Sequence, residues 1–422
     1  MGLVTDIAYL LAGLVTMPYW LIALGVRGKL RTDWPARLGL RGVPADRRAG
    51  DGPRILIHAV SVGEVNAIRL LADQLAAAPL RAQVTISSTT DTGLARARSI
   101  LGARHQVVRF PIDFSWAMRR LLSATEPDLV LLAELELWPN FMRLCSRRGV
   151  PVAVVNGRLS ERSFARSRRA RWVLRESFGM LARVSAQDQA YADRFVAMGT
   201  PRARVHVGGT LKWDTASAEE RVAGASELAR EMGIDPTKGL VVGGSTAPGE
   251  EALLAQACPA GVQLLCAPRK PEWFDSAAEA MGPCVRRSRA TASPGTASTR
   301  FLLDTIGELR KAYALADLVV IGRSFGNLHG SDMMEPAALG KAVVVGPRVG
   351  DFAATAATLL EAGAMVQTTP EALKETVQAL MNDPARRRTL GERAREVVRR
   401  EQGATARNVA MAGELLQRRG RQ

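Results

Sequence analysis

Cysteine and histidine are scarce in this chain of 422 residues, four of each. Cys145, Cys258, Cys266 and Cys284 are scattered and form no CxxC pair. That excludes a disulfide framework, leaves no spacing for a structural zinc site, and fits a reduced, cytosolic setting. Neither GxGxxG nor GxxxxGK[ST] occurs, so the dinucleotide and P-loop fingerprints are missing. Aromatics make up only 5% of the chain, which leaves little to stack on nucleic-acid bases. Acidic residues are also short, 41 against 57 Lys plus Arg, for a net charge of +16. Such an excess implies an anionic partner: a nucleic acid, a phospholipid surface or a phosphorylated substrate. No RRM, zinc-finger or basic helix-turn-helix pattern supports nucleic acid, and that reading is set aside. The 47% apolar content is that of a globular chain of two or three domains.

One long apolar run is present. Ile7 to Val26 carries no charge and is long enough for a helix to cross a bilayer. Arg27, Lys29 and Arg31 follow it, whereas Asp6 is the only charge ahead, so the positive-inside rule puts the rest of the chain on the cytoplasmic side. Tyr19 and Trp20 suit the interfacial belt. A cleaved signal peptide would need a basic leader and a small-residue cleavage site, and neither is present. The expectation is a membrane-anchor helix within residues 1–30, either spanning the bilayer or lying in its interface.

Beyond it, short apolar runs alternate with amphipathic stretches. Strands are predicted at Arg54–Ala59, Val84–Ser87, Val107–Phe110, Leu129–Ala133 and Val152–Val155. A second series is predicted at Leu240–Gly244, Gln263–Ala267, Phe301–Leu303, Leu318–Ile321 and Ala342–Val345. Near-continuous apolar strands between helices mean parallel sheets covered on both faces. Two such series give an α/β chain of two Rossmann-like domains facing a central cleft. The expected boundaries are 31–210 for the first domain and 211–403 for the second. A helix over 404–422 is expected to pack back on the first domain. Arg286–Thr299 reads as a loop or insertion.

In open α/β sheets ligands bind beyond the carboxyl ends of the strands, so the residues there carry the functional information. After the first strand, Ser61-Val62-Gly63-Glu64-Val65 places a carboxylate at a strand-to-helix turn. There it is either a general base or a helix-capping Glu. Glu134-Leu135-Glu136-Leu137-Trp138-Pro139-Asn140 follows the fourth strand, with paired carboxylates, an indole and an amide suited to a sugar. Asn156-Gly157-Arg158-Leu159-Ser160 follows the fifth. From Arg143 to Arg175 there are ten arginines (143, 147, 148, 158, 162, 166, 168, 169, 171, 175) against one acid, Glu161, an anion-binding stripe that suits lipid headgroups or a phosphorylated lipid. In the second domain, Gly243 to Glu251 follows the first strand with small residues that let backbone amides approach a phosphate. Pro268-Arg269-Lys270-Pro271-Glu272 adds cations at the same edge. Gly322-Arg323-Ser324 through Gly330-Ser331-Asp332-Met333-Met334-Glu335 adds a loop and a carboxylate able to hold ribose hydroxyls. Together these strand ends favour a nucleotide-sugar site.

These segments resemble the 3-deoxy-D-manno-octulosonic acid (Kdo) transferases of lipid A biosynthesis, along nearly the whole chain. The most specific pieces are SVGEV, ELELWPN, NGRLSERS, PRKPE, Gly307-Glu308-Leu309 and MEPAALGK. The resemblance implies an inverting glycosyltransferase of GT-B architecture that needs no metal or other cofactor. It implies CMP-Kdo as donor and the phosphorylated glycolipid precursor of lipid A as acceptor, at the cytoplasmic face of the inner membrane. No nucleic acid and no obligate protein partner are implied. By the match, Glu64 is the general base. Ser61, Gly63, Glu136, Asn140, Asn156, Arg158 and Ser160 line the acceptor side. Ser245, Thr246, Arg269, Lys270, Ser324, Gly330, Ser331, Asp332 and Glu335 hold the donor.

The chain departs from the family pattern mainly on the donor side. Ala247 stands where a His is usual, Lys270 and Trp273 replace the usual PRHPERF residues, Asp332 intervenes before the final motif, and Thr210 replaces an Asn. Asp332 would place a negative charge near an anionic donor unless Lys270 or Arg323 compensates. The competing readings are another GT-B enzyme, a UDP-sugar transferase or a nucleotide-sugar 2-epimerase. A 2-epimerase has no need of an anchor or an arginine stripe.

Overall fold

A computed structural model describes residues 5–7, 9–11, 14, 16, 32–41, 51–216, 221–289 and 298–419. The chain divides into two compact units. One comprises the residues up to Thr215 and those from Gln402 onward, the other Ala216–Glu401.

In the first unit the strands are β1 (Arg54–His58), β2 (Gln83–Ser88), β3 (Gln106–Arg109), β4 (Leu129–Ala133), β5 (Val152–Gly157), β6 (Arg183–Ala186) and β7 (Val205–Val207). They form one parallel sheet in the order β3-β2-β1-β4-β5-β6-β7. Successive residues of each strand face opposite sides, and both sides are buried. Ile55, Ile57, Leu129 and Leu131 enter one core, whereas Leu56, Val130 and Leu132 enter the other. The helix Ala404–Arg419 adds Ala404, Met411, Ala412 and Leu415 to the first of these cores. Leu211 lies in that same core, and Asp214 accepts the Gly403 N–H at 2.7 Å. Leu211–Thr215 and Gln402–Gly403 therefore group with the first unit, not with the second domain to which the sequence boundaries gave them.

In the second unit the strands are β8 (Leu240–Thr246), β9 (Gln263–Pro268), β10 (Val285–Arg286), β11 (Arg300–Leu302), β12 (Leu318–Ile321), β13 (Ala342–Val345) and β14 (Val366–Gln367). They form a second parallel sheet, ordered β10-β11-β9-β8-β12-β13-β14. In each sheet the order reverses beside the first strand, between β1 and β4 and between β8 and β12. Such switch points open a crevice at the carboxyl ends of the strands.

The predicted strands all lie in these sheets, β3 and β11 each one residue earlier than expected. The strands not predicted, β6, β7, β10 and β14, are short and lie toward the sheet edges, where no apolar run marks them. Arg286–Arg289, expected within a loop, belong to β10 and a short 3-10 turn, while residues 290–297 lie outside the described residues.

The expected anchor falls mostly outside the described residues, including Tyr19, Trp20, Arg27, Lys29 and Arg31. Among the described residues no helix is long and apolar enough to cross a membrane. The described residues between Thr5 and Thr16 are helical.

Candidate functional site

In the first unit, Ser61 caps the helix Val62–Ala67, its Oγ accepting the Glu64 N–H at 3.3 Å. The Glu64 side chain reaches back over the same turn, as in a capping box but to the backbone of the residue before the cap. Its carboxylate accepts the Val60 N–H at 2.9 Å and the Ser61 hydroxyl at 2.8 Å. The structure thus bears out the capping reading of Glu64, and the cap also fixes where the carboxylate points. A Cβ on Gly63 would meet only Ser61 Oγ, at 3.8 Å, so packing does not require a glycine there.

Glu64, Glu134, Leu135, Glu136, Arg158, Ser160 and Ser163 line one cavity of about 280 Å³. It lies past the ends of β1, β4 and β5, at the switch point of this sheet. The backbone is bent to make it: Glu134 and Asn156, both non-glycine, adopt left-handed φ values of 57° and 54°. The Arg158 N–H reaches the Glu134 carbonyl at 3.4 Å. Burial pushes Glu136 up to about 7, with the neighbouring Glu64 and Glu134 charges adding to it and the Trp138 indole N–H opposing. Glu134 is raised as well, by burial and then by Glu64, against Arg158 and Lys212. Three carboxylates thus share one small space with one guanidinium, an arrangement that resists holding every negative charge at once.

Two predicted acceptor residues sit elsewhere. Asn140 is 1% exposed, and its amide donates to Asp6 at 2.9 Å and to the Asp113 carbonyl at 2.7 Å. Asn156 is also 1% exposed, and its Oδ1 accepts the Leu211 N–H at 3.1 Å. Both side chains are buried in internal hydrogen bonds, Asn140 to a carboxylate and a backbone carbonyl and Asn156 to a backbone N–H, which corrects their assignment to the acceptor surface. Ser160 lines the cavity and also caps the helix Glu161–Arg169. His58, at the end of β1, is buried against Phe110, and burial pushes its imidazole down to about 3, so it is neutral.

In the second unit, Tyr313 organises the switch point. It is 1% exposed, and burial first, then Glu335 and Asp332, push its phenol far up, opposed by a hydrogen bond with Ser245 and the charge of Arg269. Ser245 bonds this phenol while Arg269, Asp332 and Glu335 act on it by charge, so four predicted donor residues are coupled to one ring that the sequence reading missed. Gly244 allows it: a Cβ there would lie 2.1 Å from the Tyr313 hydroxyl. Glu335 is raised by burial and by Asp332, with Arg310 opposing. Gly330 adopts a φ of 84° and its N–H reaches the Arg323 carbonyl at 2.8 Å, while Ser331 Oγ lies 3.5 Å from the Ser245 carbonyl.

Two donor assignments need correction. Thr246 is fully buried, its hydroxyl donating to Glu251 at 2.6 Å. Ser324 is fully buried between the Ile321 carbonyl and the Gly346 N–H. Lys270 is exposed, its Nζ 3.3 Å from Glu272 and 4.8 Å from the centre of the Trp273 ring. The sequence also missed Glu250. This carboxylate, 5% exposed, accepts the N–H groups of Ala247 at 2.9 Å, Arg323 at 2.7 Å, Ser324 at 3.0 Å and Phe325 at 3.0 Å. It ties the loop after β8 to the loop after β12. A Glu opening a helix beside a glycine-rich turn was the available signal.

Comparison with known proteins places this geometry in context. A family model described as "3-Deoxy-D-manno-octulosonic-acid transferase (kdotransferase)" matches residues 32–215. A 3-deoxy-D-manno-octulosonic acid transferase of Bordetella pertussis is 33% identical, over 94% of this chain and 95% of its own. One from Haemophilus influenzae is 28% identical, over 86% of this chain and 87% of its own. Among solved structures, MurG of Acinetobacter baumannii superposes with a TM-score of 0.54 at 18% identity, covering 85% of this chain and 99% of that one. HepE of Anabaena in complex with UDP gives 0.54 at 17%, covering 86% and 99%. These likenesses identify the two parallel-sheet units as a GT-B fold. The chain is a glycosyltransferase and belongs to the 3-deoxy-D-manno-octulosonic acid (Kdo) transferase family.

Proposed function

We propose that the protein moves Kdo from CMP-Kdo to the phosphorylated, acylated glucosamine disaccharide that precedes lipid A, at the cytoplasmic face of the inner membrane during lipopolysaccharide synthesis. The observation that carries the reading is the cavity in which Glu64 stands with Glu136, Arg158 and Ser160. Glu64 takes the proton of the acceptor's primary hydroxyl as that oxygen attacks the anomeric carbon, with inversion. The Val60 and Ser61 donors fix the carboxylate's orientation before substrate arrives. Arg158 meets the acceptor's negative charge, and Glu136 accepts from a sugar hydroxyl.

The second unit binds the nucleotide. Arg269, backbone amides near Ser245 and the Gly330–Ser331 turn receive the phosphate, and Glu335 holds the ribose. The leaving CMP carries its own charge away, so positive donors rather than a metal or a protein acid meet it. Incubating the protein with CMP-Kdo and, separately, with UDP-sugars over the tetra-acylated lipid A precursor tests this, with mass spectrometry of the product. A Kdo adduct only in the CMP-Kdo reaction is expected. Transfer from a UDP-sugar and none from CMP-Kdo would overturn the donor assignment.

A further inference from the structure

The residues that begin the apolar run are fastened to the first unit by a buried polar network. Asp6 is 5% exposed. Its carboxylate accepts the Ser115 N–H and the Asn140 amide, each at 2.9 Å, and bonds the Ser115 hydroxyl. The Tyr9 hydroxyl donates to Asp113 at 3.1 Å, and its ring meets Phe114 edge-on at 6.2 Å. Arg143 donates to Thr5 at 2.8 Å. On the same helical segment, Ile7, Leu10, Leu11 and Leu14 are 47%, 56%, 58% and 66% exposed. Their spacing of i, i+3, i+4 and i+7 makes one stripe. One face of the segment thus holds the protein, and the other turns four large aliphatic side chains to solvent.

A helix that crossed the bilayer from Ile7 onward would carry Thr5 and Asp6 to the side opposite the domain that Asp113, Ser115, Asn140 and Arg143 belong to. The network forbids that. We propose that this segment is an in-plane membrane-docking element, pinned to the first unit and laying its aliphatic stripe into the interface of an anionic phospholipid bilayer. Resting on the membrane-bound function proposed above, this names how the membrane is held.

The neighbourhood fits that occupant. Phe114 stacks on Trp116 at 4.4 Å, and Trp116, 38% exposed, donates to the Leu38 carbonyl. Arg143, which holds Thr5, also pairs with Glu176 at 2.7 Å, which ties the segment to the helix Arg171–Gly179. That helix and its predecessor, Glu161–Arg169, expose Arg162, Arg166, Arg168, Arg169 and Arg171, with Trp172 85% exposed among them. Aliphatic stripe, indole rings and clustered guanidinium groups are the three components of an interfacial helix on anionic lipid.

The test uses full-chain protein and vesicles of phosphatidylethanolamine with phosphatidylglycerol. Leu10→Ser/Leu11→Ser/Leu14→Ser is expected to lower the bound fraction by about tenfold or more, with an unchanged melting profile because the replaced side chains are exposed. Fluorophores on Ile7→Cys and Leu14→Cys, with Cys258 and Cys284 replaced by Ser, are expected to be quenched at one shallow depth by spin-labelled lipids. Residues 7 and 14 of a crossing helix would differ in depth by roughly 10 Å at 1.5 Å per residue. Such a depth difference, or unchanged binding of the triple variant, would overturn the docking. A protein that docks as described yet moves no Kdo upholds the docking and defeats the functional reading instead.

Discussion

At the switch point of the first unit the carboxylates stand partly open, and at that of the second they are consumed by the fold. Glu64, Glu134 and Glu136 face a common cavity with one arginine, and Glu134 and Glu136 are raised by burial and then by the Glu64 charge. Glu250 and Glu251 occupy the matching place after β8 but are 5% and 1% exposed, and Glu250 spends both oxygens on four backbone N–H groups. The same residue type at equivalent ends of two parallel sheets thus does different work. In the first unit the carboxylates line a cavity, where the proposed proton transfer would use Glu64. In the second, Glu250 sets loop geometry, and nucleotide recognition is proposed to fall to Arg269, Glu335 and the amides near Ser245.

That contrast can be broken from either side. The largest stability effect is expected for Glu250→Ala, which strands four buried N–H groups. It should cost about 3 kcal/mol or more and weaken nucleotide binding, read by calorimetry and ligand titration. A mild effect would mean that the loops after β8 and β12 hold themselves. Arg158→Ala, on the open side, should raise the acceptor KM by about tenfold to a hundredfold, the worth of a charge-assisted hydrogen bond, and leave donor affinity alone.

Glu136 sharpens the comparison through pH. Folding raises it from 4.5 to about 7, so the folded chain binds more protons than the unfolded chain between those values. Its contribution to stability is therefore present at low pH and is lost as pH rises through that window. Melting temperature followed from pH 4.5 to 7 should show this fall, and Glu136→Gln should flatten it. The smallest effect is expected for Lys270→Ala. A lysine already paired with Glu272 and stacked on Trp273 should change donor affinity by less than about threefold.

The central strands were legible because each is a buried apolar run that must be covered on both faces. The strands β6, β7, β10 and β14 were not, since β7, β10 and β14 are only two or three residues long and β6, though buried, has just Val184 and Ala186 as apolar residues. At the sites, strand ends marked the segments and the family resemblance picked out Glu64, Glu136, Arg158 and Ser160, which the cavity brings together. The same match misplaced Asn140, Asn156, Thr246 and Ser324. Small polar residues at a strand end bond backbone as readily as ligand, and sequence spacing does not say which. Tyr313 was invisible for the opposite reason: it comes from a helix, Leu309–Leu315, and reaches the site only because Gly244 clears its path. The left-handed residues Glu134, Asn156, Ser245 and Arg323 mark both switch points, but none is a glycine, and so no composition signal announced them.

The central claim is that the capped carboxylate of Glu64 is the base. Glu64→Gln tests it most directly, because glutamine keeps the side chain's shape and one carbonyl to accept the Val60 N–H, turns its amide toward Ser61 Oγ, and removes the basicity. Transfer from CMP-Kdo to the lipid acceptor, measured beside donor affinity and melting temperature, should fall by about a hundredfold or more with the other two unchanged. Transfer retained within a few-fold of the parent, or lost in step with folding, would contradict the account and leave Glu64 a helix cap alone.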